Sequence, residues 1–256
     1  MPNDNQCFIR ASWETNKARF WRQSDGVKKK YKDDRKSAVR EARHLQVIER
    51  EFKAVEVDGL LYSPLRNVEY DYESNSIRME FVAGKTIGRV FQEGKCARAF
   101  YIQGLWLGLL HKSSRRVDGK VLSFQDYNRT NVILDEEEAR VVAIDPGTVD
   151  SSFEEPSVAL TFGMKSCVRG VIQERRVKLL RESVTEYVRG YITGTGGRPE
   201  GGVWPGIRTC GMFTHKRYRK YGVLWAGLAM PMVALEMAAI WGFLRYGVWK
   251  AEQGER

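Results

Sequence analysis

The sequence contains few residues of the kinds that form disulfides or bind soft metal ions. It has four cysteines and three histidines among 256 residues. No two cysteines form a C-x-x-C pair, and no histidine lies at metal-ligand spacing from another histidine or from a cysteine. These absences argue against a disulfide framework and against a zinc site. We therefore expect a protein of the reducing cytosol in which any metal ion is bound by oxygen ligands.

Two further patterns are missing near the N-terminus. Met1 to Arg10 contains no basic stretch followed by an apolar run, so no secretory signal is predicted. Gly26 is the only glycine before Gly59, so this region has no glycine-rich loop of the kind that wraps phosphate groups. Any phosphate groups bound here would be covered by Ser12, Thr15 or Asn16, or would be held less tightly.

The charge is unbalanced toward the positive sign. Lys and Arg number 42 against 32 Asp and Glu, which gives a net charge of +10. A surplus of this size favours anionic partners such as phosphate-rich ligands, nucleic acid or acidic lipid surfaces, but it does not choose among them. A chain of this length is typical of one compact unit with at most a short appendage.

Residues 1–83 are predicted to form a small β-rich lobe with one inserted helix. Short aromatic and β-branched runs separated by turn-forming residues predict a three-stranded meander, with strands at Phe8–Trp13, Arg19–Trp21 and Val27–Tyr31. Arg35 to Lys53 has no Gly or Pro and places apolar residues near helical spacing, which predicts an amphipathic helix. Two more extended stretches follow, at Val68–Tyr72 and Ser76–Val82.

Residues 84–196 are predicted to form a larger and mainly helical lobe. Helical patterns cover Ala97–Lys112, Val158–Val171 and Arg175–Ile192. Between the first two helices, short apolar runs predict a loop followed by a hairpin, with strands at Val121–Phe124, Val132–Leu134 and Val141–Ile144. A Gly/Pro-rich stretch at Gly194–Gly206 predicts a linker, so we assign residues 197–222 to a linker that ends in basic residues.

Three oxygen-bearing side chains are predicted at the ends of these adjacent short strands. They are Asp126, Asn131 and Asp145. Phosphoryl transfer to a hydroxyl needs a carboxylate beside the attacking oxygen and hard oxygen ligands for Mg²⁺. Asp126 can supply the carboxylate, and Asn131 with Asp145 can supply the ligands. A single Asp in a turn is more often a turn residue than a catalytic one, so the prediction depends on the ordered set.

This order resembles the catalytic and metal-binding loops of the protein-kinase-like superfamily. The resemblance implies an α+β, two-lobed fold and extends over about Phe8 to Ile192. Lys29 resembles the nucleotide-binding lysine, because it shares a strand face with Val27 and Tyr31; Lys28 or Lys30 takes that place if the register slips by one. Glu41 resembles the helix glutamate that pairs with this lysine. Met79 to Gly84 looks like the hinge between lobes, where the backbone groups of Glu80 and Val82 would hold adenine.

Within the superfamily the motifs are most similar to lipopolysaccharide-core sugar kinases and aminoglycoside-type phosphotransferases. The similarity lies in Asp126-Tyr127-Asn128 before Asn131, and in Asp145-Pro146-Gly147. The chain departs from the family at Phe124-Gln125, where a His or Tyr and then Arg or Gly usually stand.

A long apolar run near the C-terminus predicts membrane association. Val223 to Leu244 contains one charged residue, Glu236, and one proline, Pro231. At ~1.5 Å per residue the run can cross a hydrocarbon core of about 30 Å. Basic residues precede it, so the preceding domain is expected at the cytoplasmic face of an inner membrane, with aromatic residues as interfacial contacts at Trp225, Trp241, Tyr246 and Trp249. The alternative is a hydrophobic helical hairpin packed on the larger lobe, with Glu236 paired internally. We assign residues 223–256 to this segment and the tail.

Together these features predict an ATP- and Mg²⁺-dependent kinase that phosphorylates a hydroxyl of a sugar or glycolipid. Asp126 would deprotonate the hydroxyl, Lys29 held by Glu41 would bind the α- and β-phosphates, and Asn131 with Asp145 would bind the metal. Nucleic acid is not the expected partner. Two alternatives remain open, a protein or tRNA-processing kinase and a nucleotide-binding pseudokinase scaffold at a membrane. His111 is expected to be a packed structural histidine.

Overall fold

The computed structural model describes residues 12–14, 18–23, 26–32, 34–124, 126–147 and 153–197, with isolated positions between 206 and 249. The helices are α1 Arg35–Glu51, α2 Ile87–Gln92, α3 Cys96–Ser114, α4 Pro156–Gln173 and α5 Leu180–Thr195. The strands are β1 Ser12–Glu14, β2 Ala18–Gln23, β3 Gly26–Tyr31, β4 Val55–Val57, β5 Leu60–Ser63, β6 Glu69–Asp71, β7 Ser76–Met79, β8 Lys85–Thr86, β9 Val121–Leu122, β10 Val132–Asp135, β11 Arg140–Ala143 and β12 Phe153–Glu154. The predicted α+β class is confirmed, while the division into two lobes stays a prediction.

The first sheet contains the second and third strands of the predicted meander; of its first predicted strand, Phe8–Trp13, only Ser12 and Trp13 belong to the described residues, and they lie in β1. Its strands follow the order β1-β2-β3-β7-β6, and every neighbouring pair is antiparallel. Along β3 the side chains alternate, so that Val27, Lys29 and Tyr31 are buried while Lys28 is half-buried and Lys30 is exposed. The pleat of the strand therefore directs Lys29 toward the covered face of the sheet.

Helix α1 covers that face. Asp34 begins the helix, because its carboxylate accepts a hydrogen bond from the backbone N–H of Ser37 at 2.8 Å. Its buried face joins one hydrophobic cluster with the sheet, formed by Ala38, Ala42 and Leu45 together with Val27, Tyr31, Ile77 and Met79. The helix ends two residues before the predicted Lys53, since Phe52 adopts an extended conformation.

The second sheet holds the hairpin that carries the candidate site. Its order is β4-β5-β11-β10-β8, with β10 and β11 antiparallel and β11 parallel to β5. The β4–β5 hairpin has no counterpart in the sequence-based prediction. Its turn contains Asp58 and Gly59, which both have positive φ, at 52° and 72°. An Asp-Gly pair is a common hairpin turn, so the signal is present in the sequence although the flanking strands are short.

Helices α3 and α5 pack closely because glycines line their contact. A Cβ atom on Gly104 would lie 1.9 Å from the carbonyl oxygen of Tyr187, and one on Gly108 would lie 2.4 Å from that of Tyr191. Gly194 belongs to this contact inside α5, so the prediction that the linker begins there is wrong.

The predicted start of the last helix at Arg175 is also wrong. Arg175 has a φ of +56°, which interrupts a helix, and the 3-10 helix Val177–Leu179 precedes α5. Helices α1, α3 and α4 lie within two residues of their predicted bounds, whereas α2 was not predicted.

Most of the apolar run at Val223–Leu244 lies outside the described residues. Within the part of the chain that the structure describes, no helix is both long and apolar enough to span a bilayer. At two described positions of the segment and tail, Trp241 is 41% exposed and Trp249 is 50% exposed. Near them, the guanidinium of Arg181 on α5 donates a hydrogen bond to the hydroxyl of Tyr246.

Candidate active site

Lys29 forms a buried ion pair with Glu41. The lysine Nζ lies 2.6 Å from Oε1 of Glu41, and the side chains are only 7% and 4% exposed. The other carboxylate oxygen of Glu41 accepts a hydrogen bond from the hydroxyl of Tyr31. Strand β3 and helix α1 thus place both partners on the inner face of the first sheet, and the neighbouring lysines lie elsewhere. Lys28 pairs with Asp71 at 3.4 Å, and Lys30 is exposed.

The same lysine reaches Asp145 after strand β11. Its Nζ lies 3.4 Å from Oδ1 of Asp145, whose side chain is 41% exposed. Burial works against the positive charge of Lys29, but the carboxylates of Glu41 and Asp145 outweigh it and hold the pKa of Lys29 above its usual value. Lys29 is therefore a cation that faces an accessible carboxylate.

The backbone turns sharply where Asp145 leaves its strand. Asp145 has a φ of 53° and Gly147 a φ of 81°, both in the left-handed region. Between them, the carbonyl of Pro146 accepts a hydrogen bond from the N–H of Asp126 at 3.2 Å. A Cβ atom on Gly147 would lie 3.2 Å from that of Asp126, so a larger residue would crowd the loop. The Asp-Pro-Gly turn therefore packs directly against the Asp126 segment.

Asn131 joins the two aspartates. Its side-chain Nδ2 donates to the carbonyl of Asp126 at 2.9 Å, to the carboxylate Oδ2 of Asp126 at 3.3 Å, and to the carbonyl of Asp145 at 3.2 Å. Its backbone carbonyl accepts from the N–H of Ile144 at 2.7 Å. The amide nitrogen is committed to these contacts, while the amide oxygen accepts a long hydrogen bond of 3.4 Å from the Thr130 hydroxyl and keeps a lone pair with which to serve as a ligand.

Asn128 is a site residue that belongs to the quoted motif but has no predicted role. Its Nδ2 donates to Oδ1 and to the carbonyl of Asp126, both at 3.0 Å. Its Oδ1 accepts from the N–H and hydroxyl of Thr130, at 2.8 and 2.5 Å. Both carboxylate oxygens of Asp126 thus receive an amide hydrogen bond, one from Asn128 and one from Asn131. The Asp-x-Asn spacing was available as a signal, since asparagine commonly caps such turns.

Aromatic packing supports the segment before Asp126. Phe124 is fully buried, with its ring centroid 5.5 Å from that of Trp106 and 5.3 Å from that of Tyr127. The Trp106 Nε1 donates to the carbonyl of Ser63 at 3.0 Å, and the Tyr127 hydroxyl donates to that of Gln103 at 2.5 Å. A packed apolar cluster therefore fixes the start of this segment at Phe124, while Gln125 lies outside the described residues.

The predicted hinge has a different arrangement around Glu80. The N–H of Glu80 donates to the carbonyl of Arg66 at 3.0 Å, so this donor is already used. The Glu80 carboxylate pairs with Arg140, with distances of 2.8 and 2.7 Å to its two terminal nitrogens. Val82 is half-buried and packs, like Ile144, against the cluster that contains Val27 and Met79.

Two oxygen-bearing side chains of the described residues could hold a magnesium ion. The described residues contain no group of three His, Cys, Asp or Glu side chains that could hold an ion. Mg²⁺ instead takes one or two protein oxygens and completes its shell with water and substrate phosphates. The exposed carboxylate of Asp145 and the amide oxygen of Asn131 fit that requirement. Of the residues proposed to cover phosphates, Ser12 lies in β1, while Thr15 and Asn16 lie outside the described residues.

No protein-family model matches the chain, and no curated protein is similar enough to match it. Among solved structures, the chain is similar to a choline/ethanolamine kinase family protein from Mesorhizobium loti. The two share 11% sequence identity with a TM-score of 0.47, over 94% of this chain and 88% of the other. A similarity this weak establishes neither family nor activity, so the function has to be argued from the site itself.

Proposed function

We propose that the protein is an ATP- and Mg²⁺-dependent kinase that transfers the γ-phosphoryl group to a hydroxyl of a sugar or glycolipid. One observation carries the proposal: Lys29 contacts both Glu41 and the accessible Asp145, while Asn131 bonds to Asp126 and Asp145. A fixed cation, an exposed carboxylate ligand and a second carboxylate within one loop are the groups that phosphoryl transfer requires.

Nucleotide binding is assigned to the face between β3, the hinge and β11. Val27 and Met79 are buried, while Val82 and Ile144 are half-buried at the edge of the same cluster. Such an apolar edge suits a purine ring. The carbonyl of Glu80 and the N–H of Val82 are the backbone groups proposed to bind adenine, since the N–H of Glu80 is already bonded.

Lys29 would bind the α- and β-phosphates in this arrangement. Its charge is secured by Glu41, which also fixes the ammonium in position through a 2.6 Å contact. Asp145 lies 3.4 Å from the same ammonium, so the carboxylate proposed to bind the metal would stand beside the phosphates that Lys29 binds. Mg²⁺ bound by Asp145 and Asn131 would neutralise charge on the phosphates.

Asp126 is assigned to the acceptor. Asp126 is exposed, whereas the neighbouring Asn131 is buried, so the Asp126 carboxylate faces outward from a supported loop. The amide donors of Asn128 and Asn131 orient both carboxylate oxygens. Asp126 would accept the proton of the attacking hydroxyl as that oxygen bonds to phosphorus and ADP leaves.

The choice of acceptor is proposed from the resemblance in the Asp126–Asn131 segment and from the apolar run at Val223–Leu244. We assign this run to attachment at the cytoplasmic face of the inner membrane, where a glycolipid would be in reach. Fractionation of cells expressing the full chain tests this assignment. Recovery of all the protein in the soluble fraction without detergent would refute membrane attachment.

The decisive experiment measures consumption of labelled ATP with Mg²⁺ against membrane lipid and sugar extracts. Wild-type protein is expected to transfer label to a glycan or glycolipid, and Asp126→Ala or Asp145→Ala to abolish transfer while remaining folded. Label on protein or tRNA would instead favour the alternative kinase classes. Binding of nucleotide without any turnover would identify a pseudokinase and overturn the proposal.

A further inference from the structure

A buried histidine on helix α1 contacts the segment that leads to Asp126. The Nε2 atom of His44 lies 2.6 Å from the carbonyl oxygen of Ser123. Both residues are almost completely buried, with His44 2% exposed and Ser123 0% exposed. The two lie 79 positions apart in the chain, so this hydrogen bond joins helix α1 directly to the loop that begins after β9.

The contact defines the protonation state of the ring. A carbonyl oxygen only accepts, so Nε2 must carry the proton. Burial lowers the pKa of His44, against a smaller opposing effect of the Ser123 carbonyl, so the ring is neutral. Nδ1 has no hydrogen-bond partner among the described residues. His44 is therefore a single-donor link rather than a charged group.

Helix geometry connects this link to the phosphate-binding pair. Glu41 and His44 are three positions apart on α1, so their side chains project from the same buried face. Glu41 holds Lys29, and His44 holds the loop three residues before Asp126. One turn of helix α1 thus contacts both the nucleotide-binding Lys29 and the loop that leads to Asp126.

We propose that His44 is a positioning residue that holds the Asp126 segment at a fixed place relative to the Lys29–Glu41 pair. The role rests on the proposed kinase function. The adjacent Phe124 has no polar side chain, and its N–H donates to the Glu154 carboxylate at 3.3 Å. Helix α1 adds the shorter polar contact at Ser123.

The test compares His44→Gln with His44→Leu. Glutamine can place an amide N–H near the position of Nε2, whereas leucine cannot donate, and both residues are good helix formers. His44→Leu leaves the buried Ser123 carbonyl without its donor. His44→Asn, whose amide is too short to reach that carbonyl, is a second loss variant for use if the leucine variant does not fold.

Two readouts separate positioning from general destabilisation. The first is ATP turnover in the presence of Mg²⁺, set against binding of a fluorescent ATP analogue. Turnover is expected to fall about 10- to 100-fold in His44→Leu, with nucleotide affinity unchanged within error, because a small displacement of a reacting group is enough for such a loss. His44→Gln should recover most of the turnover.

The second readout is hydrogen exchange in peptides that cover residues 121–135, with a peptide from α5 as the internal control. Exchange should quicken in the loop peptide of His44→Leu and stay near wild type in His44→Gln. Equal behaviour of the two variants, or a leucine variant without effect on either readout, overturns the role of His44. If wild-type protein binds nucleotide without turnover, the kinase proposal fails, and loop exchange alone then decides whether His44 holds the loop.

Discussion

Arg140 and Glu80 form a bidentate ion pair that connects strand β11 to the predicted hinge. The guanidinium nitrogens lie 2.8 and 2.7 Å from the two carboxylate oxygens, and the side chains are 7% and 15% exposed. Arg140 also donates to the hydroxyl of Ser63 at 2.7 Å and to the carbonyl of Pro64 at 3.0 Å. Since β11 leads to Asp145, one strand supports both the hinge and the proposed metal ligand.

Replacing Arg140 by Ala should therefore reduce stability strongly. The substitution leaves the Glu80 carboxylate largely buried without its cation, which costs roughly 3–5 kcal/mol in comparable pairs. Urea unfolding followed by circular dichroism measures the loss. Arg78→Ala is the matched control, because Arg78 is an exposed arginine on β7 and should change stability by less than about 0.5 kcal/mol. Similar losses in both variants would contradict the importance of the pair.

Asn128→Ala should lower ATP turnover more than it lowers nucleotide affinity. The substitution removes the amide that donates to Oδ1 and the carbonyl of Asp126, so the carboxylate is less well oriented. Because an orienting contact acts on the reacting group, we expect a loss of about 10- to 100-fold in kcat. KM for ATP should change little.

Gln92→Ala is the control for Asn128→Ala. Gln92 is an exposed side-chain amide on α2 that donates to Glu174, far along the chain from Asp126. It should leave kcat unchanged. If Asn128→Ala raises KM for ATP with kcat intact, Asn128 acts on the nucleotide and not on Asp126.

Local patterns in the sequence predict the parts of the site that lie within single elements. The alternation along Gly26–Tyr31 directs Lys29 inward, and the helical period of α1 places Glu41 on its buried face. The Asp126–Asn131 spacing likewise reflects one turn that folds back on itself. These features depend on contacts between neighbours in sequence, so periodicity and turn chemistry are sufficient.

Contacts between distant segments could not be predicted in the same way. The Arg140–Glu80 pair spans 60 positions and the His44–Ser123 bond spans 79. No spacing pattern in the sequence identifies the partner of Arg140 or of His44. From the sequence alone, either side chain could equally be exposed to solvent. The prediction of the start of α5 failed for a local reason. Arg175 has a positive φ, and no glycine or asparagine at this position indicates it in the sequence.

Protein stability should fall as the pH drops below 6.5. Burial lowers the pKa of His111 from its usual 6.5 to about 3, with a smaller contribution from Arg115. His111 stays neutral in the folded protein while the unfolded chain takes up a proton, so its contribution is complete above pH 6.5 and is lost toward about pH 3. One proton corresponds to a slope of about 1.4 kcal/mol per pH unit. His44, whose pKa is also lowered, acts in the same direction.

His111→Asn isolates this effect. The asparagine amide can take the place of Nδ1, which lies 2.9 Å from the hydroxyl of Tyr191, but it does not titrate. Denaturant unfolding over a series of pH values should show a shallower loss of stability in the variant. Identical pH slopes for the variant and the wild type would mean that His111 is not the group that takes up the proton.

Gly104→Ala should destabilise the contact between α3 and α5. The added Cβ would lie 1.9 Å from the carbonyl oxygen of Tyr187, and backbone atoms on the opposing helix cannot move aside as a side-chain end can. We expect a loss of about 1–3 kcal/mol or more, since the helix axes must separate. A gain from the higher helix propensity of alanine, about 1 kcal/mol, works in the opposite direction and is too small to compensate.

Gly197→Ala is the control, because nothing lies within 4 Å of its added Cβ. Thermal and urea unfolding of the two variants should differ clearly, and a Gly104→Ala protein as stable as the control would show that the helices are not held at this distance in solution.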